Sequence, residues 1–95
     1  MAKKAKKQLV HAEGEICFWV NNGPVLKNLN ELYEALMSMT DETFAHHVGD
    51  DRNDFAKWVD EVLRDPDLAK KLVKCKNPSS MLKVVGTHLK RNYEL

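Results

Sequence analysis

Residues 40–63, TDETFAHHVGDDRNDFAKWVDEVL, constrain this chain more than any other stretch. They read as two helices that cannot be one. The first ends near His47 and Val48, the second starts near Asn53, and an acidic turn carrying Gly49 separates them. Thr40 is placed to cap the first, with Asp41 and Glu42 favourable against its dipole. Phe44, His47 and Val48 fall on its inner face, and Gly49 is expected to end it as a left-handed stop. Asp51, Asn53 and Asp54 crowd the start of the second helix. Its stripe is Phe55, Trp58, Val59, Val62 and Leu63.

Three more helices follow from the same logic. Asn28 with Glu31 is a capping-box pattern, and Leu29, Leu32, Tyr33, Leu36 and Met37 repeat as one apolar stripe over Leu29–Ser38. Asp65 before Pro66 starts another helix, with Leu68, Leu72 and Val73 on its apolar side. Asn77 before Pro78 starts the last, where Met81, Leu82, Val85, His88 and Leu89 align. Gly86 interrupts that helix at a cost of about 1 kcal/mol relative to Ala, which marks a close helix contact.

Upstream, residues 15–20 (EICFWV) read as a strand. Strict alternation puts Ile16, Phe18 and Val20 on one face and Cys17 with Trp19 on the other. Asn22 and Gly23 suggest a tight turn, with Val25 and Leu26 as the return strand. Pro24 weakens the turn because it has no N–H to donate. A lone hairpin is marginal in water, so it must pack on the helices or pair with a second copy. The expected fold is mainly α, of the α+β kind: about five short helices with a small N-terminal β-strand or hairpin. Residues 1–10 are expected to be a flexible Lys-rich tail, and residues 11–95 one α-rich globular domain.

The 95 residues carry a net charge of +1, unevenly placed. The head has Lys3, Lys4, Lys6 and Lys7 without an acid, the middle is acidic, and the last helices are basic. The longest apolar run is too short to span a bilayer, and no apolar segment of a secretory signal follows the lysines. Cys17 and Cys75 have no metal or redox spacing, so they read as reduced thiols in a cytoplasmic protein.

A spaced set of residues carries a resemblance: Gly23, Leu29, Glu31, Leu32, Phe44, His47, the run Asn53, Asp54 and Phe55, then Trp58, and the step Asp67, Leu68, Ala69. In this pattern the chain resembles the DUF5752 family, a prokaryotic domain of unknown function, over roughly residues 15–75. The resemblance implies a stand-alone or accessory module and brings no activity. The Lys-rich head and the basic last helix lie outside it.

Chemistry finds little footing. His46 and His47 point about 100° apart on a helix, so they do not both grip one metal without help. One of them could join Asp50, Asp51 or Asp54, but paired ligands at i, i+3 or i, i+4 are missing. The plainer reading sets His47 inward, hydrogen-bonded to a helix-start carboxylate such as Asp54. His47, Asn53, Asp54, Phe55 and Trp58 then form a structural joint. No nucleophile–base pair, phosphate loop or dinucleotide fingerprint is present, so no catalytic residue, cofactor or metal is assigned and no enzyme is expected. The expected function is a small non-catalytic binding or scaffolding module that self-associates as a homo-oligomer or binds a protein partner through Cys17 and Trp19. The alternative is an auxiliary nucleic-acid-binding protein using Lys3, Lys4, Lys6 and Lys7 together with Lys83, Lys90 and Arg91. A pI near 7.8 and the acidic middle weigh against that alternative.

Overall fold

The computed structural model describes residues 7–93. A 3-10 turn (Gly14–Ile16) leads into a hairpin of β1 (Phe18–Trp19) and β2 (Val25–Leu26). Five helices follow: α1 (Leu29–Ser38), α2 (Asp41–His47), α3 (Asp54–Glu61), α4 (Pro66–Leu72) and α5 (Pro78–Asn92). The fold is therefore mainly α with one small antiparallel hairpin.

Each helix begins where a local side chain can take an orphan N–H. Asn28, Thr40, Asn53, Asp65 and Asn77 each accept from the backbone N–H three residues ahead. Such a cap is worth typically about 1 kcal/mol. The capping box of α1 closes one residue earlier than usual, because Glu31 Oε1 accepts from Lys27 N–H at 2.8 Å. Successive caps stop any helix before α5 from growing long. Short helices bury little alone, so their stability comes from packing. α3 packs on α4, and α1 packs on α5.

Gly49 is not a left-handed stop. After α2 the chain turns extended at Val48, which bridges to Asn53, and Gly49 N–H bonds Arg52 C=O at 2.8 Å. That small loop already satisfies the backbone. The left-handed residue sits after α3 instead, at Arg64 with φ 57°. Asp65 N–H reaches back to Val59 C=O at 3.0 Å, closing the turn that leads from α3 to α4.

The expected strand over residues 15–20 shrinks to two residues. The 3-10 turn breaks the alternation, so Cys17 and Phe18 are both buried while Ile16 is exposed. Cys17 therefore does not share an outer face with Trp19. Beyond this point the hairpin is one-sided. Phe18 faces Leu26 and both are buried; Trp19 faces Val25 and both are exposed. Pro24 does not spoil the turn, because its carbonyl accepts from Val20 N–H at 3.1 Å and Asn22 takes φ 56°.

Two stripe ends also differ. Met37 and Val73 are exposed although Leu36 and Leu72 beside them are buried, so the inner face of each helix is narrower than its apolar stripe. Gly86 does mark a close approach: a Cβ there would lie 2.8 Å from Cε1 of Tyr33 on α1. Of the flexible tail expected over residues 1–10, residues 1–6 lie outside the described residues. Lys7 is held, with its N–H on Asn92 C=O at 2.7 Å, and Leu9 packs against the core.

Candidate functional site

The joint between α2 and α3 is assembled from both its helices and the hairpin. His47, the last residue of α2, accepts the Asn21 N–H on Nε2 at 3.0 Å. Its proton therefore sits on Nδ1, which faces Asp54 Oδ2 at 3.1 Å. Asn53 does two things at once. Its Oδ1 caps α3 at Ala56 N–H, and its Nδ2 donates to Leu72 C=O at the end of α4. Trp58 Nε1 donates to Ile16 C=O at 2.8 Å, tying α3 to the entry of the hairpin. Phe55 stacks on Phe18 with centroids 4.7 Å apart, and Trp58 meets Phe18 edge-on at 5.6 Å. The ring nitrogens of His47 and Trp58 are both engaged, and the aromatic faces are packed on one another.

His46 is exposed, with its ring edge-on to that of His47 at 5.0 Å between centroids. Arg52 bonds the His46 carbonyl and approaches Asp54 Oδ1 at 3.6 Å. Among the described residues no group of three or more His, Cys, Asp and Glu side chains could hold a metal ion.

A second imidazole–carboxylate pair lies deeper, and local spacing gives no notice of it. Asp65 is 0% exposed. Its Oδ1 caps α4 at Leu68 N–H, while Oδ2 accepts from His88 Nε2 at 2.8 Å and from Tyr93 O–H at 2.5 Å. Asn92 Nδ2 donates to His88 Nδ1 at 3.2 Å, which places the imidazole proton on Nε2. Lys7 Nζ stands 3.9 Å from Asp65 Oδ1. Burial alone would push the Asp65 carboxyl up. The hydrogen bonds from Tyr93, Leu68 N–H and His88 outweigh it and hold the group below its ordinary 3.8. Burial and the adjacent Asp65 carboxylate push the Tyr93 phenol the other way, well above its ordinary 10.0. This clasp joins the start of α4, the end of α5 and the incoming strand at Lys7. Its one sequence signal is a histidine on the apolar stripe of α5, since a buried imidazole needs polar partners.

The remaining candidates separate by exposure. Trp19 is 65% exposed, against 7% for Trp58. Cys17 and Cys75 are buried free thiols. Burial pushes the Cys75 thiol up, keeping it protonated and inert. Lys83 and Lys90 lie on one exposed face of α5, whereas Arg91 is turned about 100° from Lys90. Lys7 is drawn off to Asp65 and the Tyr93 ring. Lys3, Lys4 and Lys6 lie outside the described residues.

Compared with known proteins, the chain matches no family model, no curated protein and no solved structure. The likeness to the DUF5752 family rests on the residues quoted for it. No helix among the described residues is long and apolar enough to cross a membrane.

Proposed function

We propose that this chain is a small non-catalytic binding module that self-associates through the outward face of its hairpin. One observation carries the reading: the cross-strand pair Trp19 and Val25 stands in solvent while the adjacent pair Phe18 and Leu26 is buried. Ile16, three residues before Trp19, is also 56% exposed. Sheets leave polar side chains on a solvated face; this one leaves an indole and a valine, with Ile16 exposed in the turn before it.

The docking feature is the side-chain face and not the strand edge. His47 takes the outward N–H of Asn21, just past β1, so added strand pairing there would compete with the joint. A flat apolar face with an indole at its centre is complementary to itself about a two-fold axis, so the occupant is a second copy of this chain. The area offered is a few hundred Å² per copy, which suits a weak and reversible contact. Both imidazoles have their two ring nitrogens committed within the fold, which supports a role without catalysis. The reduced, buried thiols fit a reducing compartment, and we place the protein in the cytoplasm on that ground. An accessory module of this kind agrees with what the DUF5752 resemblance implies.

Sedimentation velocity from micromolar to millimolar protein tests the reading. The expected result is a rising dimer fraction, abolished by Trp19→Ser with the melting temperature kept. A monomer across the whole range would overturn it.

A further inference from the structure

The turn of the hairpin, residues 20–24, is bonded mostly to itself. Val20 N–H donates to Pro24 C=O at 3.1 Å, and Gly23 N–H to Val20 C=O at 3.0 Å. Among the described residues, its one hydrogen bond to a helix runs from Asn21 N–H to His47 Nε2. A crevice of about 270 Å³ separates the turn from the corner between α1 and α2, at Ser38, Met39 and Thr40. The strands behind the turn pair over only two residues each. A hairpin that short does not hold its shape in water unaided.

The chemistry of that one bond depends on a proton. A backbone N–H can only donate, so Nε2 has to present its lone pair and the ring has to be neutral. A second proton enters at Nε2 and sets N–H against N–H. The other ring nitrogen responds in the opposite sense. Nδ1–H goes on donating to Asp54 Oδ2, and a positive ring strengthens that bond. The groups around the ring are few. The α3 side brings Asp54 and the Phe55 ring, with Arg52 of the preceding loop 3.6 Å from the other oxygen of Asp54. On α2 itself the His46 ring lies edge-on at 5.0 Å. The hairpin brings the Phe18 ring and the Asn21 N–H, and no charged partner. Protonation therefore breaks the bond to the hairpin and keeps the bond to α3.

We propose that His47 is a proton-operated latch on the hairpin turn. Neutral, it pins the turn to the joint between α2 and α3; charged, it lets the turn go and stays on Asp54. Imidazole is the side chain whose charge ordinarily changes near neutral pH. Release leaves Trp19 and Val25 without a fixed common platform, so self-association weakens as pH falls. That consequence rests on the hairpin reading above; the latch does not.

The test is amide NMR of the full chain, dilute enough to be monomeric, from about pH 8 to about pH 5, the ordinary range of imidazole titration. His11 Nδ1 and His88 Nδ1 also face asparagine amides, so each imidazole is followed by its own ring resonances. The hydrogen-exchange protection of Asn21 N–H should fall at least about tenfold in step with His47. Ala56 N–H and the Trp58 indole N–H should keep theirs. His47→Gln offers Asn21 an amide oxygen that does not titrate, and its Asn21 protection should ignore pH. Should that variant fail to fold, the wild-type titration decides. Sedimentation velocity at both ends of the range reads the consequence, with a smaller dimer fraction expected in acid. A chain that releases Asn21 yet never dimerises supports the latch and sinks the hairpin reading. Four results would overturn the latch: Asn21 protected while His47 titrates, no titration of His47 in the range, protection lost at Asn21, Ala56 and Trp58 together, or loss that tracks another histidine. A dimer fraction indifferent to pH after Asn21 is released would overturn its control of association.

Discussion

The two imidazole–carboxylate pairs of this molecule are built inside out with respect to each other. At the joint the imidazole is buried and the carboxylate faces out: the His47 side chain is 8% exposed and that of Asp54 36%. At the clasp the carboxylate is the innermost group, with Asp65 at 0% and His88 at 4%. The donors follow this geometry. Asp54 shares one imidazole N–H and an arginine with water, whereas Asp65 collects a backbone N–H, an imidazole N–H and a phenol. A buried carboxylate is tolerable only when so many donors converge, and removing it leaves each of them stranded. The same residue pair is thus a brace in one place and a keystone in the other.

The sharpest way to break this distinction is to remove the keystone. Asp65→Ala strands Leu68 N–H, His88 Nε2–H and Tyr93 O–H, and should cost about 3–5 kcal/mol in denaturant unfolding. His47→Ala should cost about 2–3 kcal/mol by the same measurement, through an orphaned Asn21 N–H and a gap beside Phe18 and Phe55. Tyr93→Phe removes one donor of three and should cost about 1–2 kcal/mol. Asp54→Ala should cost less than about 1 kcal/mol, since its carboxylate is over a third exposed and solvent screens the pair. Equal losses for Asp54→Ala and Asp65→Ala would erase the contrast.

The clasp also sharpens the comparison through pH. Asp65 is held below its ordinary 3.8 in the folded chain, so its contribution is complete above that value. It is lost as pH falls through the depressed folded value. Tyr93 is raised above its ordinary 10.0, so its contribution is complete below that value and is lost as pH rises through the raised one. Melting curves should therefore show Asp65→Asn converging with the wild type only in strong acid. Tyr93→Phe should lack the alkaline loss that the wild type shows.

What the sequence made legible follows the range of each interaction. The five helix starts could be read because a cap acts over three residues, as Asn28, Thr40, Asn53, Asp65 and Asn77 do. Periodicity gives the direction of each inner face but not its width, and Met37 and Val73 fall outside it beside the buried Leu36 and Leu72. Alternation failed at Ile16 and Cys17 because a 3-10 turn shifted the phase. The second bond of Asn53, to Leu72, spans 19 residues and is invisible to local pattern. So is the clasp, where His88 and Tyr93 lie 23 and 28 residues from Asp65. Asp65 showed only its capping oxygen in the sequence; the other oxygen carries the long-range contacts.

The unequal placement of the two indoles has a practical consequence. Trp58, packed on the aromatic core, and Trp19, standing in water, make up all the tryptophan in the chain. They form two optical channels within one molecule. Iodide should quench Trp19 and spare Trp58, so intrinsic fluorescence can follow the hairpin surface and the core separately, without any attached dye.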